Sequence, residues 1–261
     1  MDRHCLGECA AVSPQPVITL CDVTAGYGRR SAVEGLSGVF ASGSLTAITG
    51  PNGAGKTTLL KAITGELPLS GGTIERRVAP GGIACLPQIA EIDRRFPVTV
   101  ADVVLPGLWR TIGAFGAARA DHRRRLAEAL ATVGLAGFEA RNIGTLSSGQ
   151  FQRILFARLL LQDASVILLD EPFSGIDERT TGELLALVAR WRDEGRTVIA
   201  VLHDLAQIRD WFPQTLLLAR ETVAWGPTAS VLTPGNIDRA RRLAGQWDAT
   251  DVQRTDFRRS A

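Results

Sequence analysis

The sequence predicts an α/β fold: a mostly parallel sheet covered on both faces by helices, with a helical subdomain inserted in mid-chain. Three features point to it. Apolar runs of strand length alternate with helical spacing, as where Ser165–Leu169 is succeeded by a helical pattern over Glu178–Glu194 and then by the run Thr197–Leu202. A glycine-rich turn joins the strand-like stretch Ser44–Thr49 to a helical pattern over Lys56–Thr64. From about residue 91 to 161, strand signals stop and Arg- and Ala-rich helical patterns such as Asp121–Val133 take over. A sheet of this kind takes its ligands at the carboxyl ends of its strands.

The remaining elements are read in chain order. Residues 1–16 have the small residues and prolines of a flexible leader, and its His4, Cys5 and Cys9 match no common zinc spacing. Val17–Val23 alternates as a strand does, and Gly81–Leu86 is a short buried strand that ends at Pro87. Leu216–Ala219 and Thr222–Trp225 form a closing hairpin around Arg220 and Glu221. The folded domain is expected over 17–235, its helical subdomain over about 91–162. A polar, Arg-rich tail over 236–261 carries Arg254, Arg258 and Arg259.

Composition narrows the function classes. At 261 residues, 45% apolar and 21% charged, the chain can bury a large core and is not mostly disordered. Its 29 basic and 27 acidic residues leave a net charge of +2, which gives no strong field for nucleic acid or an anionic membrane. Only Lys56 and Lys61 are lysines, so each is worth locating. The longest uncharged stretch, Gly35–Gly55, is too rich in Gly, Ser, Thr, Asn and Pro to act as a bilayer helix, and the N-terminus lacks the apolar core of a signal peptide. Four cysteines in so long a chain do not make a disulfide framework, which fits a reducing compartment.

Gly50-Pro51-Asn52-Gly53-Ala54-Gly55-Lys56-Thr57 fits the phosphate-loop pattern in full, with a strand before and a helix after. Glycines let the backbone wrap phosphates with successive N–H groups, and the helix N-terminus adds a favourable dipole. Lys56 is placed to reach the β- and γ-phosphates, and the Thr57 hydroxyl to ligate Mg²⁺. This is a nucleoside triphosphate site. Asp170 and Glu171 close a buried strand, where two adjacent carboxylates are costly unless a cation or a reaction uses them. Asp170 suits Mg²⁺, and Glu171 suits the polarisation of a water that attacks the γ-phosphate.

Leu146-Ser147-Ser148-Gly149-Gln150 resembles the LSGGQ signature of ABC-type ATPases, with Ser148 replacing the first glycine. Tyr27, the phosphate loop, Gln88, Leu146–Gln150, Asp170-Glu171 and His203 stand in that family's order, and the resemblance covers roughly Val17–Leu232. It implies a P-loop NTPase core with an antiparallel β subdomain and an inserted helical subdomain. It implies that Tyr27 stacks on adenine, that Thr58 joins the nucleotide site, and that Gln88 touches Mg²⁺ or the attacking water. His203 becomes the switch histidine at the γ-phosphate, and Ser174-Gly175-Ile176-Asp177 a D-loop crossing a dimer interface. Two copies are expected to meet head to tail on ATP, each signature capping its partner's nucleotide.

The resemblance also implies partners: integral-membrane permease subunits and, indirectly, a periplasmic solute-binding protein, with the chain peripheral on the cytoplasmic face of a bacterial plasma membrane. No nucleic-acid partner is expected. Phe96-Pro97-Val98-Thr99-Val100-Ala101-Asp102-Val103-Val104 resembles the ATPases of manganese and zinc importers, Arg94 being a departure where an aromatic is common. An iron-chelate or haem importer, or a non-transport soluble ABC ATPase, is the alternative. Leu105, Leu108, Trp109 and Phe115 are candidates to line a groove for a permease helix.

Overall fold

The computed structural model describes residues 15–28, 30–86, 88, 94, 96–113 and 118–256, with side chains as far as Trp247 at the C-terminal end. His4, Cys5, Cys9, Phe115, Arg258 and Arg259 lie outside the described residues, as does the Arg254 side chain. Two sheets organise the rest. The first is antiparallel and three-stranded in the order β2 (Arg30–Ala41), β1 (Pro16–Tyr27), β4 (Leu69–Arg76). The second has six strands in the order β5 (Ile83–Leu86), β6 (Val166–Asp170), β7 (Thr197–Val201), β3 (Leu45–Thr49), β8 (Gln214–Ala219), β9 (Glu221–Pro227). All its pairings are parallel except β8–β9, which is the expected hairpin.

The central strands β3, β6 and β7 are buried along their whole length, as continuous apolar runs in a doubly covered parallel sheet should be. Alternate residues serve different cores. Ile48, Leu168 and Ile199 pack beneath the antiparallel sheet and α1 (Lys56–Thr64), while Ala47, Leu169 and Ala200 face the helical side. Helix α1 has no side-chain cap; Gly55 holds its N-terminus at φ 91°, and Leu59, Leu60 and Ile63 anchor its inner face. Burying each of those three is worth about 1.5–3 kcal/mol.

The helical subdomain comprises α2 (Val100–Val104), α3 (Trp109–Ile112), α4 (Ala120–Thr132) and α5 (Ser148–Gln162), with single 3₁₀ turns at Leu105–Leu108 and Ile143–Thr145. Thr99 and Asp102 form a capping box on α2. His122 accepts the Arg119 N–H at Nδ1 and caps α4. Beyond β6, α6 (Glu178–Asp193) starts at the N-cap Asp177. Its Trp191 stacks on Phe156 of α5 with centroids 5.7 Å apart, and Phe156 stacks in turn on Phe173. This aromatic column ties the helical side to the loop after β6.

Three expectations are altered here. Strands β2 and β4 show no strand pattern in sequence, because Gly35, Gly38, Gly71 and Gly72 interrupt them. The polar C-terminal stretch is not a bare tail. After α7 (Leu205–Trp211) and α8 (Thr228–Val231), helix α9 (Pro234–Asp256) packs on the sheet through Ala240 and Leu243, with Trp247 under the Arg220 guanidinium at 5.1 Å. Of the described residues of the proposed groove lining, Leu108 is core, Leu105 packs against that core, and Trp109 is strongly exposed at 59%.

Candidate functional site

Strand register builds the site. Ile48 of β3 and Asp170 of β6 both pair with Val201 of β7, so the carboxyl ends of three neighbouring strands stand abreast. Each strand therefore delivers its next residues to one edge: β3 the phosphate loop, β6 Glu171, and β7 His203. Leu86 pairs with Leu169, so the chain leaves β5 at the same edge and places half-buried Gln88 two residues on.

The phosphate loop is held by backbone contact. A Cβ on Gly50 (φ 151°) would lie 1.9 Å from Leu218 O, and one on Gly55 (φ 91°) would lie 2.1 Å from Ala32 O, so neither position admits a side chain. Ala54 O accepts from the N–H of Arg220, whose own φ is 61°, and Arg220 O accepts from Glu34 N at 2.8 Å. Arg220 thus braces the loop from the β8–β9 turn, a role sequence reasoning missed; the isolated hairpin signal gave no hint of what the turn touches. Asn52 and Gly53 remain exposed at the tip, Thr57 is half-buried, and Thr58 lies inside.

Lys56 is 7% exposed and its Nζ donates to Gly50 O and Pro51 O, both at 2.9 Å. Burial holds its ammonium below the ordinary lysine value, and the carboxylates of Glu171 and Asp170 pull it back up. That coupling places both acids within electrostatic reach of the phosphate lysine. Glu171 takes a left-handed backbone (φ 48°), uncommon for a non-glycine residue, and its Oε1 lies 2.6 Å from His203 Nε2. Asp204 next to it caps α7 by accepting the Ala206 and Gln207 N–H groups, which fixes where His203 leaves the strand. An Asp immediately before a helical pattern was the available signal for that cap.

The donor set suits Mg²⁺. Thr57 hydroxyl, Asp170 carboxylate and Gln88 amide are all hard oxygen ligands. Among the described residues no cluster of three or more His, Cys, Asp or Glu could hold a metal by itself. Mg²⁺ characteristically takes one or two protein oxygens and completes its shell with water and substrate phosphate.

Tyr27 ends β1 at 56% exposure, and the hairpin it belongs to runs into Ala32 and Val33 against Gly55. An aromatic face is thus presented beside the loop. The signature segment lies elsewhere. Ser147 and Gln150 form a capping box at the start of α5, with Ser147 Oγ accepting from Gln150 N and Gln150 Oε1 accepting from Ser147 N, both at 3.1 Å. Ser148 and Gly149 therefore belong to the first helical turn rather than preceding it, and Ser148 is exposed. A Cβ on Gly149 would lie 3.5 Å from Asp177 Oδ2. Signature and D-loop are neighbours within one chain, while no hydrogen bond among the described residues joins the signature to the phosphate loop.

A mostly parallel sheet with a glycine-rich loop and a buried lysine at its carboxyl edge has the architecture of a phosphate-loop ATPase. The chain belongs to the ABC transporter family, whose match spans residues 33–174, and is an ATP-hydrolysing subunit. It is 38% identical over 223 residues to the manganese transport system ATP-binding protein MntB of Listeria monocytogenes, covering 84% of this chain and 93% of that one. It is 37% identical to the zinc transport system ATP-binding protein TroB of Treponema pallidum, covering 84% of each. A solved inward-facing putative metal-chelate type ABC transporter superposes with a TM-score of 0.77 at 28% identity, covering 85% of this chain and 87% of that one.

Proposed function

We propose that this subunit hydrolyses ATP to drive uptake of a divalent metal ion, manganese or zinc, through a separate permease. The observation that carries the hydrolytic part is the Glu171–His203 pair at 2.6 Å on the edge that holds Lys56. Glu171 is the general base: its carboxylate accepts the proton of the attacking water, and His203 holds that carboxylate in place. Lys56 turns from the loop carbonyls to the β- and γ-phosphates, and Tyr27 stacks on adenine. Thr57, Asp170 and Gln88 would hold Mg²⁺, which supplies charge neutralisation at the phosphates.

Two copies meet head to tail on ATP. The first-turn N–H groups of Ser148 and Gly149 have no partner within the helix and suit the phosphates of a partner's nucleotide. Asp177 lies beside Gly149, so Ser174–Asp177 is suited to follow the partner's approach. Ser148, where glycine is usual, is exposed, so its hydroxymethyl is accommodated within its own chain. Permease and solute-binding protein complete the system, with this chain peripheral on the cytoplasmic membrane face; none of its helices is long and apolar enough, among the described residues, to cross a membrane.

The metal assignment rests on relatives named for manganese and zinc transport at 36–41% identity. Labelled manganese and zinc uptake, measured in a strain lacking this gene and rescued by the wild-type chain, tests it. Rescue of uptake for one or both ions by the wild type, and none by Glu171→Gln, is expected. Unchanged uptake in the deletion strain would overturn the assignment.

A further inference from the structure

We propose that Arg94 is a positioning residue that sets the signature segment, locking Leu146–Phe151 to the stretch after Gln88. Its Nη2 donates to the Leu146 carbonyl, and its guanidinium carbon lies 4.9 Å from the Phe151 ring centroid. Leu146 is the residue immediately before the N-cap Ser147, and Phe151 belongs to the second turn of α5. One planar cation therefore grips the chain on either side of the capping box. Few other side chains can do both, because the guanidinium donates in its plane while stacking across its face.

The backbone repeats the connection. Arg94 O would lie 3.1 Å from a Cβ on Gly144, so the strap passes close to the approach to the signature. Further along, Ile143 N donates to Val98 O at 3.1 Å, Val100 N to Arg141 O at 2.8 Å, and Ala101 N to Glu139 O at 2.9 Å. Residues 98–101 thus run antiparallel along 139–143, and Arg94 adds a contact with Leu146 on the same side. A displacement of Arg94 reaches the first turn of α5 through this grip, whereas the phosphate loop on β3 is not touched by it.

The functional consequence rests on the ATP-driven dimer proposed above, because a misplaced signature weakens the grip on a partner's nucleotide and leaves binding in its own loop intact. Arg94→Met keeps an unbranched apolar stem without the donors; Arg94→Lys restores a cation but not the fork. In the full chain, hydrogen exchange of the 147–151 amides should quicken about tenfold in Arg94→Met, the scale of a lost charged hydrogen bond, while α1 is unchanged. In a Glu171→Gln background, the ATP concentration that half-dimerises the protein should rise about tenfold, with Arg94→Lys intermediate and monomer ATP affinity within about twofold of the parent.

Unaltered exchange over 147–151 would overturn the proposal. So would an ATP affinity that falls in step with dimerisation, since that marks general loosening. If the Glu171→Gln parent itself stays monomeric with ATP, the dimer reading fails, and the exchange result alone decides whether Arg94 positions the segment.

Discussion

Replacing Glu171 by Gln removes the carboxylate that the structure joins to His203, at 2.6 Å, while preserving side-chain volume. General-base catalysis contributes about 10²–10⁴-fold, which at 1.36 kcal/mol per decade is about 2.7–5.4 kcal/mol of barrier. ATP binding should survive, because the Glu171 carboxylate is bonded to His203 rather than to the phosphate loop, and losing its negative charge beside Lys56 favours an anionic ligand. His203→Ala leaves the carboxylate chemically intact but unanchored. One hydrogen bond to a charged partner is worth about 1.5–3 kcal/mol, so turnover should fall about 10–150-fold. The double variant should be no slower than Glu171→Gln alone, since the histidine acts through the carboxylate. Phosphate release by the permease-bound enzyme, set beside nucleotide affinity, separates these effects. Turnover of Glu171→Gln within about threefold of wild type would sink the general-base assignment, and fully additive losses in the double variant would sink the anchoring role of His203.

Further outcomes can be checked on the isolated chain. Lys56→Ala should weaken ATP binding by at least tenfold, the scale of its charged hydrogen bonds, without lowering the melting temperature of the nucleotide-free protein to match, because burial already disfavours that ammonium; titration calorimetry and thermal melts measure both. Gly55→Ala puts a methyl 2.1 Å from Ala32 O and should leave little folded protein. Gly53→Ala meets nothing within 4 Å and should cost about 1–2 kcal/mol for its positive φ, seen as a modest shift in urea midpoint. Asp177 has its carboxyl held below the ordinary 3.8 by the Thr180 backbone and hydroxyl bonds. Its contribution to stability is complete above pH 3.8 and is lost as the pH falls through the lower folded value, so Asp177→Asn should flatten the acid limb of melting temperature against pH by lowering the neutral plateau slightly while leaving the acid end unchanged.

Local rules made much of the candidate site legible. The phosphate loop, the acidic strand end and helix α1 lie within short windows where glycine spacing, apolar runs and periodicity speak for themselves. Lys56–Thr64 has the expected bounds, β6 is shifted by one residue at both ends, and β7 is one residue shorter than expected. The D-loop aspartate shows the opposite limit: the family order marks it, yet Asp177 also caps α6, and Ser147 with Gln150 caps α5. Local hydrogen bonding and nucleotide recognition use the same residue types, so sequence could not separate the two roles.

Strands β2 and β4 escaped notice because their stability comes from pairing with β1, not from their own glycine-interrupted residues. Helix α9 was hidden for a similar reason: its polar composition gives a weak apolar stripe, and only the sheet supplies its partner.

The order of amino acids by itself displays the candidate chemistry of this protein: a phosphate-loop motif, an acidic strand end, and the succession in which they occur. Their company is settled only by folding. Pairing of β3 and β6 with the same residue of β7 brings Gly50, Glu171 and His203 to one edge, and the Arg220 turn and the Arg94 grip each join segments far apart in the chain. Motifs are written in neighbouring residues, whereas register and buried contacts depend on packing between distant ones, which no short window contains.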